Sequence, residues 1–456
     1  KANIIYVGVK TVEGDAPYAN FSYALNIHDA QGDIGTVNAR TTGTLTISSS
    51  ELNIGDLLIR NQTEIIDSNI TGKFGSGGTG HWAIYEDDDS SRTASLTVTG
   101  STLNTNYICI GKNINGQYEA DSNAKLTLTD STFIADSYIY LMKNTAGFTT
   151  GITMQNFSVL QAKTIYNGSE IRMNHNSTIK FSGEYISDGG SIVVDMTGAK
   201  AGGFFKLIDY TGADPASVNY QNVTLLNGNG YSAVTMNGDL YASNADMSVI
   251  QVNSAWAGNA PGTEVAEGYY FGFNAFDSMD GILAKYATDA TANTATSKII
   301  LNSDAENNSA TTGKVYLYTN SDLAFAADGT PRTATFHGSR LYLMNVYQLD
   351  GEHKPVKNEF IPTITIEEGV SLVTDKMLMV GQNVDQDDID TDGNPTRDPA
   401  AVNLVVNGTL TTELYVASLS SVTVNKTGKV LVGYKEAFIT RSSSTVTVNG
   451  TGSKDD

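Results

Sequence analysis

The residues best suited to chemistry lie in one acidic loop, Asp388-Ile389-Asp390-Thr391-Asp392-Gly393-Asn394. Its three aspartates alternate with other residues, and the glycine that follows them permits a sharp turn. Carboxylate and amide oxygens gathered in this way are the ligands that Ca²⁺ prefers. We therefore predict a calcium site formed by Asp388, Asp390, Asp392 and Asn394. The alternative is a solvated acidic turn, because Pro399 stands where an EF-hand loop carries its bidentate glutamate.

Other patterns give little support for catalysis. A second acidic run, Glu86 to Asp89, is typical of a solvated loop. The five histidines are scattered without the spacing of transition-metal ligands. The sequence contains neither a Gly-x-Ser-x-Gly motif nor a phosphate-binding loop. We predict no catalytic residues and no enzymatic activity, although carboxylates on separate segments of a repeat protein could converge without any local signature.

Some aromatic residues could stack on sugar rings. Candidates are His81 with Trp82, Tyr118, and the run Tyr269-Tyr270-Phe271. The alternative, which we favour for the Tyr269 run, is packing within a core, since large aromatic side chains dominate protein interiors. The lone cysteine, Cys109, lies on an alternating stretch and is expected to be a small buried residue rather than a nucleophile.

These residues are set within a repeated strand-turn-strand pattern. The clearest copy is Leu96 to Asn113, LTVTGSTLNTNYICIGKN, and related copies begin at Leu45, Leu126 and Ile364. Each copy alternates apolar residues with Thr or Ser, as a half-buried strand requires. A unit of this kind cannot bury its own apolar face, so recurrence predicts a solenoid in which neighbouring units stack.

The composition narrows the class of protein. The chain has 456 residues, which is too long for one ordinary core, and its formal net charge of -21 argues against nucleic acid as a partner. Only 17% of residues are charged, so the outer surface must be rich in Thr, Ser and Asn. The sequence contains no apolar run of transmembrane length.

Two stretches resemble known families. Residues 3–40 resemble the start of pectin-lyase-like parallel β-helices, with a short capping helix predicted from Phe21, Ala24, Leu25, Ile27 and Ala30. The phrase Phe205-Lys206-Leu207-Ile208-Asp209-Tyr210 is similar to the last coils of autotransporter-type passenger proteins of bacteria. The resemblance implies an all-β, right-handed parallel β-helix in a secreted or surface protein.

The pattern restarts near Ser248, where a strand and a loop again precede a predicted helix with Phe276, Met279, Ile282, Leu283 and Tyr286 on one face. We therefore predict two modules, residues 1–246 with a cap at about 1–40 and residues 247–456 with a cap at about 250–300. We expect the second module to continue in a longer array.

The expected function is an extracellular structural or adhesive β-solenoid stalk of a bacterial surface protein or fibre. Expected partners are glycans or other surface components, and end-to-end self-association is a further expectation. Two alternatives stay open: a β-helix that binds or cleaves polysaccharides, and a filament subunit that assembles through its terminal strands.

The calcium loop yields a direct prediction. Because an ion that binds only the folded state stabilises it by mass action, millimolar Ca²⁺ should raise the melting temperature. The double variant Asp390→Ala with Asp392→Ala should abolish this rise. Differential scanning calorimetry checks both statements, and an unchanged melting temperature in the parent protein would remove the site.

Overall fold

The computed structural model describes residues 2–8, 22–40, 42–72, 80–85, 93–111, 119–120, 123–144, 148–236, 238–286, 296–307, 314–338, 340–345, 360–383, 400–432, 438–441 and 443–450. The chain divides into two compact units, Lys1–Asn244 and Ala245–Asp456. The two β-helix modules expected from the sequence, residues 1–246 and 247–456, stay a prediction.

The first unit is built from strands, most of them parallel to their neighbours. They are β1 (Ala2–Val7), β2 (Tyr23–His28), β3 (Gln31–Ala39), β4 (Gly43–Ser48), β5 (Glu51–Ile59), β6 (Gln62–Ile66), β7 (Asn69–Thr71), β8 (His81–Ile84), β9 (Thr93–Thr99), β10 (Thr102–Ile110), β11 (Glu119–Ala120), β12 (Asn123–Thr129), β13 (Thr132–Leu141), β14 (Lys143–Asn144), β15 (Thr150–Gln155), β16 (Val159–Asn167), β17 (Glu170–Asn174), β18 (Thr178–Phe181), β19 (Tyr185–Ser187), β20 (Ser191–Asp195), β21 (Phe204–Tyr210), β22 (Val223–Leu226), β23 (Ser232–Met236) and β24 (Asp239–Ser243). A 3₁₀ turn occupies Pro215–Ser217.

The chain of this unit passes back and forth between two sheets. A nine-stranded sheet has the order β2-β4-β6-β9-β12-β15-β17-β20-β22, and the strands that alternate with these in sequence form a thirteen-stranded sheet. The pairs β21–β24 and β23–β24 are antiparallel. The large parallel sheets confirm the all-β prediction and are consistent with a β-helix; its right-handedness stays a prediction.

The long strands of the thirteen-stranded sheet pair in two segments, and we use these segments to describe three faces of each coil. Strand β10 pairs with β7 through Thr102–Asn104 and with β8 through Tyr107–Ile110, and its register shifts between Thr105 and Tyr107. We call the nine-stranded sheet face 1, the first segments of the long strands face 2, and their second segments face 3. Strands β7 and β18 belong to face 2, whereas β8 and β19 belong to face 3.

The core lies between the three faces. Apolar side chains point inward at alternate positions, and Leu96, Val98 and Leu103 are fully buried. Leu96 aligns with Leu126 of the next coil, and Leu103 aligns with Phe133. Burial of each such side chain contributes about 1.5–3 kcal/mol relative to exposure. The repeat found in the sequence is therefore one coil of this stack.

A ladder of buried serines forms the corner between faces 1 and 2. The backbone N–H of one residue donates to the serine Oγ of the next coil, at 2.9–3.3 Å. Each Oγ–H in turn donates to a nearby carbonyl of its own coil, at 2.5–2.8 Å. The members of this serine ladder are Ser50, Ser68, Ser101, Ser131 and Ser158. The ladder satisfies buried N–H groups at the point where the chain leaves one sheet for another.

The prediction of a capping helix within residues 1–40 is wrong for the part of that stretch that the structure describes. Residues Tyr23–His28 form strand β2, and residues 9–21 lie outside the described part of the chain. Leu25 and Ile27 align with Leu45 and Ile47 of the next coil, so both point toward the core with the two-residue period of a strand. Pairing with β4 therefore outweighs the weak helical spacing of this stretch.

The second unit repeats the architecture. Its elements are β25 (Val249–Val252), β26 (Glu264–Ala266), β27 (Tyr269–Tyr270), β28 (Ala275–Phe276), α1 (Met279–Tyr286), β29 (Lys298–Leu301), β30 (Ala305–Glu306), β31 (Lys314–Thr319), β32 (Leu323–Ala327), β33 (Arg332–Phe336), β34 (Arg340–Asn345), β35 (Thr363–Ile366), β36 (Val370–Val380), β37 (Asn403–Val406), β38 (Thr409–Val416), β39 (Ser421–Val424), β40 (Lys429–Val432), β41 (Phe438–Thr440) and β42 (Thr445–Val448), with a 3₁₀ turn at Ser254–Trp256.

Face 1 of this unit is the sheet β28-β25-β29-β32-β35-β37-β39-β42, and a second eight-stranded sheet supplies the other faces. Strand β36 changes register between Val373 and Met377 and so spans faces 2 and 3. Helix α1 forms where the sequence predicts a helix, and it buries Met279 and Ile282 in the core of the second unit.

The serine ladder can be tested by removing one rung. In Ser101→Ala, the buried N–H of Ser68 loses its acceptor, so unfolding free energy should fall by about 1–3 kcal/mol. The matched control is Ser95→Ala, a serine that is partly exposed on the outer side of β9, and it should change stability much less. Urea unfolding followed by the fluorescence of Trp82, which is buried in the first unit, measures both in a Trp256→Phe background. Equal losses for the two variants would contradict the ladder's contribution.

Candidate functional site

The predicted calcium ligands fall outside the described residues. Asp388, Asp390, Asp392 and Asn394 all lie within 384–399, and the acidic run Glu86 to Asp89 also lies outside. Within the described ranges, no group of three or more His, Cys, Asp or Glu side chains is arranged to hold a metal ion. The calcium site therefore stays a prediction.

The aromatic residues singled out in the sequence have different environments. Trp82 points into the core and is 1% exposed, with its ring edge-on to Phe133 at 5.9 Å. Tyr270 is buried, Tyr269 and Phe271 are half-buried, and Tyr118 lies outside the described residues. Of this set, His81 is placed on the outer side of face 3, where other rings gather.

A row of rings crosses four coils on the outer side of face 3 in the first unit. Ring centroids lie 4.7 Å apart for His81 and Tyr107, and 4.8 Å apart for Tyr107 and Tyr138. Tyr138 meets Tyr140 edge-on at 4.5 Å, and Tyr140 stacks on Tyr166 at 4.3 Å with 19° between the ring planes. We call these five residues the aromatic row.

The row follows from parallel register. His81, Tyr107 and Tyr138 align across β8, β10 and β13, while Tyr140 aligns with Tyr166 of β16. Neighbouring parallel strands are about 4.8 Å apart, which is close to the separation of stacked rings. The sequence contains a tyrosine at equivalent points of two repeats, in Asn106-Tyr107-Ile108 and in Ser137-Tyr138-Ile139. Whether these tyrosines stack on each other depends on the register between coils, which the sequence pattern alone does not specify.

Burial makes Cys109 chemically inert. This residue is 9% exposed and packs with Met142, against Tyr107 and Tyr140. Desolvation raises the pKa of its thiol to about 11, so the thiolate is scarce at neutral pH. Cys109 therefore supports the aromatic row by packing, as its position in the sequence indicated.

A groove of about 310 Å³ opens at the end of the aromatic row. Its lining comes from three successive coils, those of β13, β16 and β19: Tyr140, Leu141, Met142, Lys143, Tyr166, Gly168, Ile186, Ser187 and Asp188. We call it the tyrosine groove. The Lys143 Nζ lies 3.6 Å from an Asp188 carboxylate oxygen, and both side chains are largely exposed. The groove thus combines aromatic and aliphatic carbon with one cation and one anion.

Buried polar contacts fix the backbone behind this groove. Asn167 is fully buried, and its side-chain amide donates to the Tyr185 hydroxyl at 2.8 Å and to the Ser191 carbonyl. The Ser169 N–H donates to the Asn167 side-chain oxygen. Burial raises the pKa of Tyr185 to about 12, so its hydroxyl stays protonated. These contacts suit a rigid binding surface rather than a proton-transfer site.

The described residues of the groove carry few groups for glycoside hydrolysis. That reaction commonly uses two carboxylates that flank the scissile bond. Among the described residues that line the groove, Asp188 alone carries a carboxylate.

A second ionisable cluster lies in the second unit. The His337 Nε2 is 3.2 Å from Glu306, and its Nδ1 is 3.1 Å from Asp375. These residues come from neighbouring coils, since β33 lies between β30 and β36. Hydrogen bonds to Glu306 and Asp375 raise the pKa of His337 above its ordinary value of 6.5. A protonated His337 side chain therefore forms ion pairs with one carboxylate on each of the two coils that neighbour its own.

The comparisons with known proteins assign no family. No protein-family model matches the chain, and neither the curated proteins nor the solved structures yield a match. In the ranges that the structure describes, no helix has the length and apolar character needed to cross a membrane. Proposals about function therefore depend on the geometry of the two units.

The His337 cluster predicts a pH-dependent stability. Because the folded-state pKa is raised, the stabilisation is fully present below about pH 6.5 and is lost as pH rises through the folded-state pKa. His337→Gln should lower unfolding free energy by about 0.5–1 kcal/mol near pH 6, and the difference should disappear near pH 9. Urea unfolding followed by Trp256 fluorescence in a Trp82→Phe background reports on the second unit. Asp375→Asn should reduce the same pH dependence, and a difference that does not change with pH would refute the role of His337.

Proposed function

We propose that the chain is a non-catalytic structural or adhesive segment of a bacterial surface protein, a β-solenoid stalk that presents one variable edge to its partners. The supporting observation is an asymmetry between the corners of the coil. In the coils from Ser50 to Ser158 of the first unit, the corner between faces 1 and 2 is short and carries the serine ladder. The corner between faces 3 and 1, which we call the variable corner, takes up most of the differences in length between these coils, and a further long connection joins Thr71 of face 2 to His81 of face 3.

Strand bounds make this asymmetry plain in the first unit. Across the variable corner, the chain runs from Ile59 to Gln62 in one coil, from Ile84 to Thr93 in the next and from Ile110 to Asn123 in a third. The strands on either side stay in register despite these differences. Insertions at this corner therefore alter the surface and leave the core intact, as a presentation scaffold requires.

The second unit has its long connections at the same corner. The chain leaves face 3 at Asn345 and returns to face 1 at Thr363, and it leaves again at Val380 and returns at Asn403. The latter connection contains the predicted calcium ligands Asp390 and Asp392. The role we propose for a calcium ion bound by these residues is to stabilise the surface that meets the partner.

Composition supports an extracellular setting. The fraction of charged residues is low at 17%, and outward positions of the strands carry many Thr and Ser residues, as in Thr97 and Thr127. The resemblance to passenger proteins and adhesins of bacteria points to the same setting. We propose that the chain is exported and acts at the cell surface.

Incubation with a panel of polysaccharides tests the proposal and its enzymatic alternative. The purified chain, fixed on beads, should retain at least one polysaccharide in intact form and should release no new reducing ends or unsaturated sugars. Retention can be weak for a single chain and strong on beads, because many linked sites bind together. Appearance of cleavage products that require the folded chain would overturn the non-catalytic proposal.

A further inference from the structure

We propose that the tyrosine groove binds a short neutral stretch of a glycan chain, about two sugar rings long, that lies along the stacking direction of the coils. This inference rests on the proposed adhesive function and names the ligand class and the site. The groove's residues come from three consecutive coils, so it runs along that direction for two strand spacings, or about 10 Å. Its volume is at the small end of ligand pockets.

The apolar wall of the groove suits the carbon faces of sugar rings. Tyr140 and Tyr166 stack on each other, and Ile186 follows Tyr166 in register on the next coil. The aromatic row therefore ends at Tyr166, where an aliphatic side chain replaces the next ring. Partly exposed tyrosine carbon beside Ile186 gives a continuous apolar strip against which the C–H groups of a sugar can pack.

The polar groups of the groove suit hydroxyl groups. The Lys143 ammonium carries three donors, and the Asp188 carboxylate offers two acceptor oxygens. Their 3.6 Å separation exceeds the usual length of a direct hydrogen bond, so both keep capacity to bond a third group. A sugar hydroxyl can accept from Lys143 and donate to Asp188. Ser187 also lines the groove, and its hydroxyl donates to the Gly190 carbonyl at 3.4 Å.

Charge favours a neutral ligand over an acidic one. Lys143 already has an anionic neighbour in Asp188, so an added carboxylate or sulfate would meet repulsion from Asp188. The whole chain carries a formal net charge of -21, which repels polyanions at a distance. Neutral hexose, pentose or N-acetylhexosamine oligosaccharides therefore fit the site better than uronic-acid chains.

Oligosaccharide binding by the full chain tests the site. Isothermal titration calorimetry and saturation-transfer NMR would use neutral oligosaccharides of two to six residues, including β-linked glucose, xylose, mannose and N-acetylglucosamine series, with oligogalacturonates as the acidic comparison. We expect at least one neutral series to bind with a dissociation constant of about 1 mM or lower. Oligogalacturonates should bind at least tenfold more weakly than that series.

Two variants locate the binding in the groove. Tyr166→Ala should weaken binding at least tenfold. Lys143→Met keeps the length of an exposed side chain and should weaken binding several-fold without an effect on folding. The matched control is Tyr316→Ala, which removes one ring of the stacked pair Tyr316–Tyr342 in the second unit, at 4.9 Å, and should leave binding unchanged. Calorimetric melting of each variant shows whether it is folded.

The outcomes separate the site from the wider function. If no neutral oligosaccharide binds, if oligogalacturonates bind as well, or if folded Lys143→Met binds like the parent, the groove is not the site. Intact polysaccharide retained by both parent and groove variants would place adhesion elsewhere on the chain and keep the proposed function. Cleavage of the oligosaccharides would refute the proposed function itself.

Discussion

The first unit depends on one constraint. The buried backbone N–H groups at the corner between faces 1 and 2 must find hydrogen-bond acceptors. At a corner the chain leaves one sheet for another, so the regular ladder of backbone hydrogen bonds is interrupted. Ser68 and Ser101 resolve this because each Oγ accepts an N–H from the neighbouring coil while its own proton goes to a carbonyl of the same coil. Five successive coils, from Ser50 to Ser158, bring a serine to this corner. In these coils the corner favours one register between neighbours as well as satisfying the N–H groups.

A fixed corner on one side leaves the opposite corner free to vary. Connections at the variable corner range from a short turn after Ile59 to a long segment after Ile110, and β9, β10, β12 and β13 still align residue for residue over most of their length. The entropy of loop closure grows slowly with loop length, so longer insertions at this corner destabilise the stack only slightly. The corner with the serine ladder thus stabilises the stack, whereas the variable corner of the same coil allows the surface to vary. The tyrosine groove lies where the variable corner begins.

The sequence predicted the coil itself because the two-residue period of Leu96, Val98 and their equivalents is a local signal. It failed at Leu25 and Ile27, where a helical spacing and a strand spacing overlap and only the pairing with Leu45 decides between them. The helix at Met279–Tyr286 was predictable because its apolar residues follow a helical spacing. The aromatic row and the groove could not be predicted in the same way. Their residues lie on separate coils, and the register that brings them together is a property of the whole stack.

Ring stacking also explains why the candidate site lies at the end of the aromatic row. Within the row, both faces of Tyr107 are engaged by His81 and Tyr138, so they are closed to a ligand. In the second unit the equivalent outer side of face 3 carries Tyr342 and Tyr415, which are only 4% and 9% exposed. Stacked or buried rings serve stability. Ligand recognition requires a point where stacking stops and polar groups begin, and Tyr166, followed by Ile186 and flanked by Lys143 and Asp188, meets both conditions.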